Sequence, residues 1–493
     1  MHKIAVYILT FCVSALSVLL PMGAPRVFAA EDAPIAKTDA DDGAKIAQTE
    51  EDKRVAAALK KWFEGDVEAA EAEFSAMAEA KTENPVPYHA LAVMLGDRNA
   101  DRVRATDLMN RHRYLLPYGQ DCYLAVLPVL EEYALSGSVQ AQLLLGRTLS
   151  YGGAGRYWSA KAMLMFRRAA DGGYAPAQRE LGSMYETGRG VTKDLRTAER
   201  LYAQAAAQGD AYAMTALAVL YINSAEGGAK SGDARSDRAV SLLDKAASMR
   251  SADAEIILAK MYQNGIYFKK DDGAAVGHYK KAAEYGSSEA MGIMGWIYEQ
   301  GKFAEKSAEL SLKNYRAAAD CGNDNALFRL GALYYTGNMV KEDHAEAFRY
   351  FKRAAELGHV VAWFNVGLMY VNGDGTERDA EEAKVWFERS ARAGNAEAQS
   401  NLGIMYSIGD GAKEDPEEAY FWFALSKLNG FDSSNELKSV AKKLDAAAID
   451  RAQRRAKTMY SRMRKRGIGP DSDPEEVEMF DDDLYDEEEP DEE

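Results

Sequence analysis

The sequence contains few cysteines and few prolines. Three cysteines occur in 493 residues: Cys12 lies in the apolar N-terminal stretch, and Cys122 and Cys321 are far apart. A disulfide-stabilised small domain needs more cysteines at closer spacing, so this class is excluded. Cys122 and Cys321 are predicted to be free thiols or to pair between chains. The low proline content, set against abundant alanine, glycine and tyrosine, favours helices over an all-β fold.

A long apolar run occurs only near the N-terminus. His2 and Lys3 precede the uncharged stretch 4–20, and residues 27–29 (Val-Phe-Ala) supply small residues for cleavage. This pattern predicts a signal peptide over residues 1–29, and an uncleaved membrane anchor is the alternative. No later run is long enough to cross a bilayer. We expect a periplasmic or secreted bacterial protein without a transmembrane anchor after cleavage, and the lack of an N-x-Ser/Thr sequon favours a bacterial source.

Positive charge is not concentrated over the body of the chain. The net charge is −17, but residues 471–493 hold 15 acidic residues and no Lys or Arg, which leaves about −2 for the remainder. A nucleic-acid-binding role is therefore disfavoured, because such proteins present a basic field. The acidic tail is predicted to be a solvated end or to contact the basic stretch 451–466, in this chain or another.

The sequence lacks a recognisable catalytic constellation. No H-E-x-x-H pair and no phosphate-loop signature occurs. We interpret five scattered histidines as surface or loop residues: His89, His112, His278, His344 and His359. Residues 372–376 weakly resemble a calcium loop, but Glu377 and Ala383 stand where that loop needs glycine and a bidentate glutamate. We therefore predict no catalytic, cofactor-binding or metal-binding residues, no cofactor and no enzymatic activity.

The sequence does contain a repeated unit. An apolar residue followed by a small one recurs at spacings of 36, 36, 41, 36, 36, 36 and 36 residues. These anchors are Leu145-Gly146, Leu181-Gly182, Leu217-Ala218, Leu258-Ala259, Met294-Gly295, Leu330-Gly331, Val366-Gly367 and Leu402-Gly403. Alanine stands four residues before every anchor, and tyrosine four residues after all but the first. A register held over eight copies is a strong signal for tandem structural repeats.

Each copy is predicted to be a pair of helices joined by a glycine-containing loop. Ala398, Leu402 and Tyr406 share one helix face, and Gly403 leaves room for a neighbouring helix. Gly409 marks the loop and Gly430 the end of the second helix. The copy at 211–250 lacks both glycines and has a loop five residues longer, which is either a tolerated insertion or a binding loop.

This repeat resembles that of the Sel-one-like repeat (SLR) family, relatives of tetratricopeptide repeat proteins. The match is close in Ala177-Gln178, Leu181-Gly182, Tyr185, Gly188-Arg189-Gly190-Val191 and Asp194. The resemblance implies an all-α, right-handed α-α superhelical solenoid that binds other proteins or peptides. It favours a scaffold for complex assembly in the cell envelope. The alternative is an envelope hydrolase acting on β-lactams or peptidoglycan, but this chain lacks the cysteine pair per repeat of the members linked with β-lactam hydrolysis.

The chain is predicted to have six segments. After the signal peptide 1–29 come a disordered linker (30–52), an N-terminal helical cap of tetratricopeptide type (53–136), eight repeats (137–431), basic C-terminal capping helices (432–468) and a disordered acidic tail (469–493). Terminal caps are expected because the outermost copies would otherwise expose an apolar face.

The predicted partner-binding residues lie on the first helix of three copies. If the register follows tetratricopeptide geometry, positions two before, two after and five after the anchor face the concave side. Aromatic and apolar residues cluster there in the copies anchored at 294, 330 and 366, and such patches often mark interaction sites. The predicted site consists of Trp296, Phe328, Tyr335, Phe364, Leu368 and Val371. The alternative is that packing between copies buries these side chains.

Overall fold

The computed structural model describes residues 49–80, 84–96, 120–151, 156–224 and 230–465. The predicted signal peptide and acidic tail, and most of the predicted linker, lie outside these ranges. The described residues form 22 α-helices and no β-strand; Lys230 and Tyr267 form an isolated bridge. The prediction of an all-α solenoid built from tandem helix pairs is confirmed. The chain divides into two compact units, Met1–Gly322 and Asn323–Glu493.

The first unit begins with four helices that precede the repeats. They are α1 (Glu50–Phe63), α2 (Val67–Glu79), α3 (Pro85–Gly96) and α4 (Gln120–Leu135). A capping box between Thr49 and Asp52 starts α1, so residues 50–52, assigned to the disordered linker from sequence, are helical. Val55, Leu59 and Phe74 belong to a core cluster that continues into the first two repeats.

Ten helices form the repeats of the first unit. They are α5 (Val139–Tyr151), α6 (Arg156–Asp171), α7 (Ala175–Thr187), α8 (Leu195–Ala207), α9 (Ala211–Asn223), α10 (Ala234–Ser248), α11 (Ala252–Asn264), α12 (Asp272–Glu284), α13 (Ser288–Gln300) and α14 (Ala308–Asp320). In each copy the first helix packs most extensively on the second helix of the same copy. The second helix then packs on the first helix of the following copy in this unit.

The second unit contains three repeats and the C-terminal helices. They are α15 (Asp324–Thr336), α16 (His344–Glu356), α17 (Val360–Asn372), α18 (Ala380–Arg392), α19 (Ala396–Ile408), α20 (Pro416–Leu428), α21 (Ser434–Ala441) and α22 (Ala446–Lys465). Helix α22 buries Ala448, Ala452, Ala456, Met459 and Met463 and packs on α20. The last repeat is therefore covered by a helix that lies outside the repeat pattern.

The repeated alanine and aspartate are explained by helix caps. In α19 the Asn395 side chain accepts a hydrogen bond from the backbone N–H of Ala398, so the alanine occupies the third helical position. In α20 the Asp415 side chain accepts from the N–H groups of Glu417 and Glu418. Such caps satisfy amides that have no partner inside the helix. Most helix starts are thus encoded locally, while α7 and α21 begin without a side-chain cap.

The loop glycines end the first helices in a left-handed conformation. Gly188, Gly265, Gly301, Gly337, Gly373 and Gly409 have φ between 66° and 81°. Such values favour glycine because it has no Cβ. The loop then closes as the N–H of Asp415 donates to the carbonyl of Tyr406 (2.9 Å), and the equivalent bond recurs in other copies. In the copy that lacks the loop glycine and the terminal glycine, Ser224 ends α9 in a right-handed conformation, and Arg250 takes φ 61°.

The small residue after the anchor allows close contact with an aromatic ring of the second helix. A Cβ placed on Gly367 would lie 2.7 Å from Phe387 Cδ1, and the other anchor glycines give 2.5 to 2.7 Å. The pairs are Gly146/Phe166, Gly182/Tyr202, Gly295/Tyr315, Gly331/Phe351, Gly367/Phe387 and Gly403/Phe423. The two helices of a copy therefore pack around one ring laid against bare backbone.

Candidate partner-binding surface

In the second unit, the positions five before, one before, two after and six after the anchor form a partly exposed face of each first helix, on which Ala332 and Leu368 are buried. In α19 these residues are Glu397, Asn401 and Ile404, which are half-buried, and Ile408, which is 63% exposed. The spacing of three to four residues places them on one helix face. In the second unit we call this set the first-helix surface. It comprises Asn325, Arg329, Ala332, Thr336, Val361, Asn365, Leu368, Asn372, Glu397, Asn401, Ile404 and Ile408.

Trp296 belongs to the first unit, while the other five predicted site residues belong to the second. It is half-buried in α13, with its ring 6.4 Å from that of Phe303 and 5.6 Å from the ammonium nitrogen of Lys302. Its indole Nε1 is buried without a hydrogen-bond partner. The side chain also packs against a core cluster that includes Ile256 and Tyr279 of the preceding copy.

Phe328, Tyr335 and Phe364 are half-buried against neighbouring helices. Phe328 stacks on the His359 ring (4.4 Å) at the start of the next copy, and the Tyr335 ring stacks on that of His344 (4.6 Å). The Phe364 ring lies 5.9 Å from that of Phe387 in its own copy. Packing between helices therefore accounts for much of their burial, and each residue remains partly exposed.

Leu368 and Val371 complete the predicted set on α17. Leu368 is 7% exposed and Val371 is half-buried. Of the six residues, only Trp296 and Leu368 occupy a position of this face, the one that the half-buried Ile404 holds in the last copy; the other four lie beside that face. Contact of a partner with these residues remains a prediction. The tetratricopeptide register did not indicate the stripe one position before and six after the anchor.

In the loop that resembles a calcium site, the carboxylate of Asp374 has a structural role. Both oxygens of Asp374 accept hydrogen bonds, one from the Tyr335 hydroxyl (3.0 Å) and the other from Nδ1 of His344. The bond to Asp374 raises the pKa of His344 above its usual value, since it favours the charged ring. Gly375 lies close to the start of α16, where a Cβ would be 2.0 Å from the His344 carbonyl oxygen. Asp374 therefore links the loop after α17 to the preceding copy through hydrogen bonds.

In the first unit the equivalent region carries a chain of paired charges that are buried or half-buried. Arg147 pairs with Glu180 (2.5 Å), and Arg179 pairs with Asp210 (2.9 Å) and covers the Tyr212 ring at 5.0 Å. Burial opposes ionisation, but Arg147 and Arg179 hold the pKa of Glu180 below its usual value. These side chains link successive copies and are less available to a partner than the first-helix surface of the second unit.

The histidines are more buried than their sequence context suggests. His89 is fully buried, 3.3 Å from Nη1 of Arg147, and His359 is 6% exposed at the start of α17. The interpretation as surface or loop residues is therefore wrong for His89, which lies within α3; His359 lies in the connection before α17, as a loop residue, but is buried. His278 is half-buried and pairs with the buried carboxylate of Glu255 (2.6 Å). His112 lies outside the described residues.

Among residues 49–465 that the structure describes, no group of three or more His, Cys, Asp or Glu side chains is arranged to hold a metal ion. In the same residues no helix combines the length and apolarity needed to span a bilayer.

Comparison with known proteins identifies the repeat. The sequence profile of the Sel1 repeat matches eight consecutive stretches, and each contains one first and one second helix. They are residues 139–174, 175–210, 211–251, 252–287, 288–323, 324–359, 361–395 and 396–431. Together they cover more than half of the chain.

Several solved structures are similar to this chain. A Sel1 repeat protein from Oxalobacter formigenes is 28% identical over 65% of this chain and 91% of its own, with a TM-score of 0.44. A protective antigen of uropathogenic Escherichia coli with an SLR fold is 25% identical over 80% and 97%, with a TM-score of 0.35. An immunity protein from Pseudomonas aeruginosa is 21% identical over 44% and 81%, with a TM-score of 0.36. No curated protein matches the sequence.

Proposed function

The chain belongs to the Sel1 repeat family, and on that premise we propose that it is an exported, non-enzymatic scaffold that assembles other proteins in the bacterial cell envelope. Proteins of this family generally act in protein–protein interaction and not in catalysis. The neighbours with solved structures come from bacteria, which agrees with this setting. Export is supported by the basic and apolar pattern of residues 1–29.

The observation that carries the binding proposal is the first-helix surface of the second unit. Ile408 is 63% exposed, and Ile404 lies one turn away on the same helix. Because contiguous apolar surface marks interaction sites, we take the exposed Ile408 and the half-buried Ile404 as the apolar part of the proposed site. Three neighbouring copies supply the surface, so an extended or helical segment of a partner could contact several first helices at once.

Polar groups on the same surface can orient a bound segment. The Asn365 side chain is half-buried between Val361 and Leu368 on the same face of α17, and its amide makes no hydrogen bond within the described residues. A free carboxamide both donates and accepts, so it can pair with a peptide bond of the partner. Phe328 and Phe364 stand two residues before their anchors, next to the position that Asn365 occupies, and both are partly exposed. Aromatic residues are enriched at protein interfaces.

The proposal is tested with two matched double variants. Ile404→Glu/Ile408→Glu places charge on the first-helix surface, while Val385→Glu/Leu428→Glu makes the same change at exposed apolar residues of second helices. Partners identified by in-cell crosslinking should bind the first variant at least about tenfold more weakly, because buried unpaired charge is costly at an interface. The second variant should bind like the parent, and circular dichroism should show both folded.

Two further outcomes would contradict the proposal. Equal loss of binding in both double variants would show that the first-helix surface has no special role. Turnover of nitrocefin or of muropeptides by the purified protein would support the hydrolase alternative. Export is checked by fractionation, and unprocessed precursor retained in washed membranes would favour an anchored protein instead.

A further inference from the structure

The basic residues on one face of helix α22 form ion pairs with α20, whereas those on another face form no ion pair with α20. Toward α20, Arg451 pairs with Glu417 (2.7 Å) and Arg455 pairs with Glu418 (2.9 Å). The Arg455 guanidinium also lies 4.4 Å from the centre of the Phe421 ring. These contacts fix the helix on the last repeat. The remaining basic residues therefore need a separate explanation.

The unpaired side forms a continuous basic stripe. We call Arg454, Lys457, Ser461, Arg464 and Lys465 the outer basic stripe; all five are exposed and follow each other at helical spacing. Within the described residues, Lys457, Arg464 and Lys465 form no ion pair, and Arg454 pairs only with Asp450 on its own helix (2.9 Å). Exposed pairs of that kind contribute little to stability. The stripe thus presents positive charge to its surroundings.

We propose that the acidic tail, residues 471–493, folds back and docks on the outer basic stripe of its own chain. The tail holds 15 carboxylates and no basic residue, so its charge is complementary to the stripe. No other segment of the sequence combines such a density of one sign with a position next to α22. The proposal is independent of the partner that the repeats bind.

The length of the connection permits this arrangement. Five residues, 466–470, separate Lys465 from Asp471, and they can span at most about 17 Å when extended. The stripe from Arg454 to Lys465 rises about 16 Å along the helix axis. The first part of the tail, 471–478, contains five carboxylates and reaches about 26 Å when extended. It can therefore run back along the whole stripe, helped by the turn-forming Gly467, Gly469 and Pro470.

A short connection also favours the tail of the same chain over that of another copy. A tethered segment reaches an effective concentration in the millimolar range, far above that of a second copy in dilute solution. Contacts that are individually weak then suffice for docking. Because the pairs are exposed, they should weaken as salt screens them.

Carbodiimide crosslinking of the full-length chain, followed by mass spectrometry, tests the proposal. Lys457 and Lys465 should couple to carboxylates in 471–478 at low salt. The Lys443–Glu414 pair, at 2.5 Å, serves as the internal control for the reaction. Arg464→Glu should lower the tail crosslinks about threefold by removing one pairing charge without removing a reactive amine. Arg349→Glu, the same charge change at an exposed residue of α16, should leave them unchanged.

An equal mixture of ¹⁴N- and ¹⁵N-labelled protein distinguishes the source of the tail. Docking within one chain gives crosslinked peptides of a single isotope composition, and raising NaCl to 0.5 M should reduce them. Mixed-isotope pairs in statistical proportion would show that the tail comes from another copy and would overturn the proposal. So would the absence of stripe-to-tail crosslinks while Lys443–Glu414 couples normally, or an equal yield from Arg464→Glu and the parent.

Discussion

At the scale of single residues, the repeat is defined by a glycine laid against an aromatic ring. The sequence predicted that Gly403 leaves room for a neighbouring helix, and the structure identifies the neighbour as Phe423 on the second helix of the same copy. In copies where the ring belongs to tyrosine, its hydroxyl has an acceptor on the first helix. Tyr202 donates to Glu186 (2.7 Å) and Tyr279 to Gln263 (2.9 Å). Burial, reinforced by Glu186, raises the pKa of Tyr202.

That pairing could have been found in the sequence. Glu186 and Gln263 both stand five residues after their anchors, whereas the copies with Phe351 and Phe387 carry no acidic residue there, but Tyr335 and Val371. The correlation between the two positions was visible, but we assigned the position five after the anchor to a binding face. Because a buried tyrosine hydroxyl needs a hydrogen-bond partner inside the copy, the residue five after the anchor is an acceptor in the copies whose ring belongs to tyrosine.

Gly367→Ala is expected to destabilise the protein by about 1–2 kcal/mol, because the added Cβ would lie 2.7 Å from the Phe387 ring. The cost is moderate, since Ala259 and Tyr279 occupy the corresponding positions of another copy and the helices there accommodate both. Gly277→Ala is the control, because an exposed helical glycine with no atom near its Cβ should gain about 0.5–1 kcal/mol. Urea unfolding measures both; equal effects of the two changes would contradict the packing explanation.

At the scale of helices, caps set most boundaries and could be read from the sequence. Asn, Asp or Ser caps most first helices, and Asp or Ser caps most second helices, so these residues predict where helices begin. Helix α7 is preceded by Tyr174, whose side chain makes no capping hydrogen bond. Helix α17 departs from this pattern, because its cap is His359, whose Nδ1 accepts from the N–H of Ala362 (3.2 Å). Its burial against Phe328 depends on the stacking of two copies, which sequence spacing alone does not reveal. The same limit explains why the predicted site residues are more buried than their helix positions suggest.

His359 should make stability depend on pH. Burial lowers its pKa to about 4, below the value of about 6.5 for an unfolded chain. The unfolded chain therefore binds the proton more tightly, so this stabilisation is complete above pH 6.5 and is lost as the pH falls toward 4, by about 3 kcal/mol at most. His359→Asn keeps a side chain that caps the equivalent helices at Asn323 and Asn395, and should remove this dependence.

The measurement compares urea unfolding of the parent and of His359→Asn between pH 4 and pH 7.5. The difference between them isolates the histidine from Asp324, whose pKa burial raises to about 6. Asp324 acts in the opposite direction, because its protonated form is favoured in the folded state and stability rises as the pH falls from 6 toward 3.8. Parallel pH profiles for parent and variant would show that His359 does not contribute.

At the scale of the whole molecule, the repeat architecture was predictable and the binding surface was not. Periodicity in the sequence revealed all eight copies, since each copy carries its own capping and packing residues. Which side of a first helix faces solvent depends on how neighbouring copies pack. The sequence of a single copy, such as 396–430, does not encode which side of its first helix faces solvent. The exposed Ile408 stands six residues after its anchor, a position that the tetratricopeptide register does not include, whereas the half-buried Ile404 stands at the included position two after the anchor.

The most direct test of the proposed scaffold function is site-specific photo-crosslinking in living cells. A photoreactive amino acid replaces Ile408 on the first-helix surface or, as the matched control, the exposed Val385 on a second helix. We expect position 408 to yield a discrete crosslinked protein partner under illumination and position 385 to yield none or much less. Equal crosslinking at both positions, or a partner only at position 385, would contradict the assignment of the first-helix surface as the binding site.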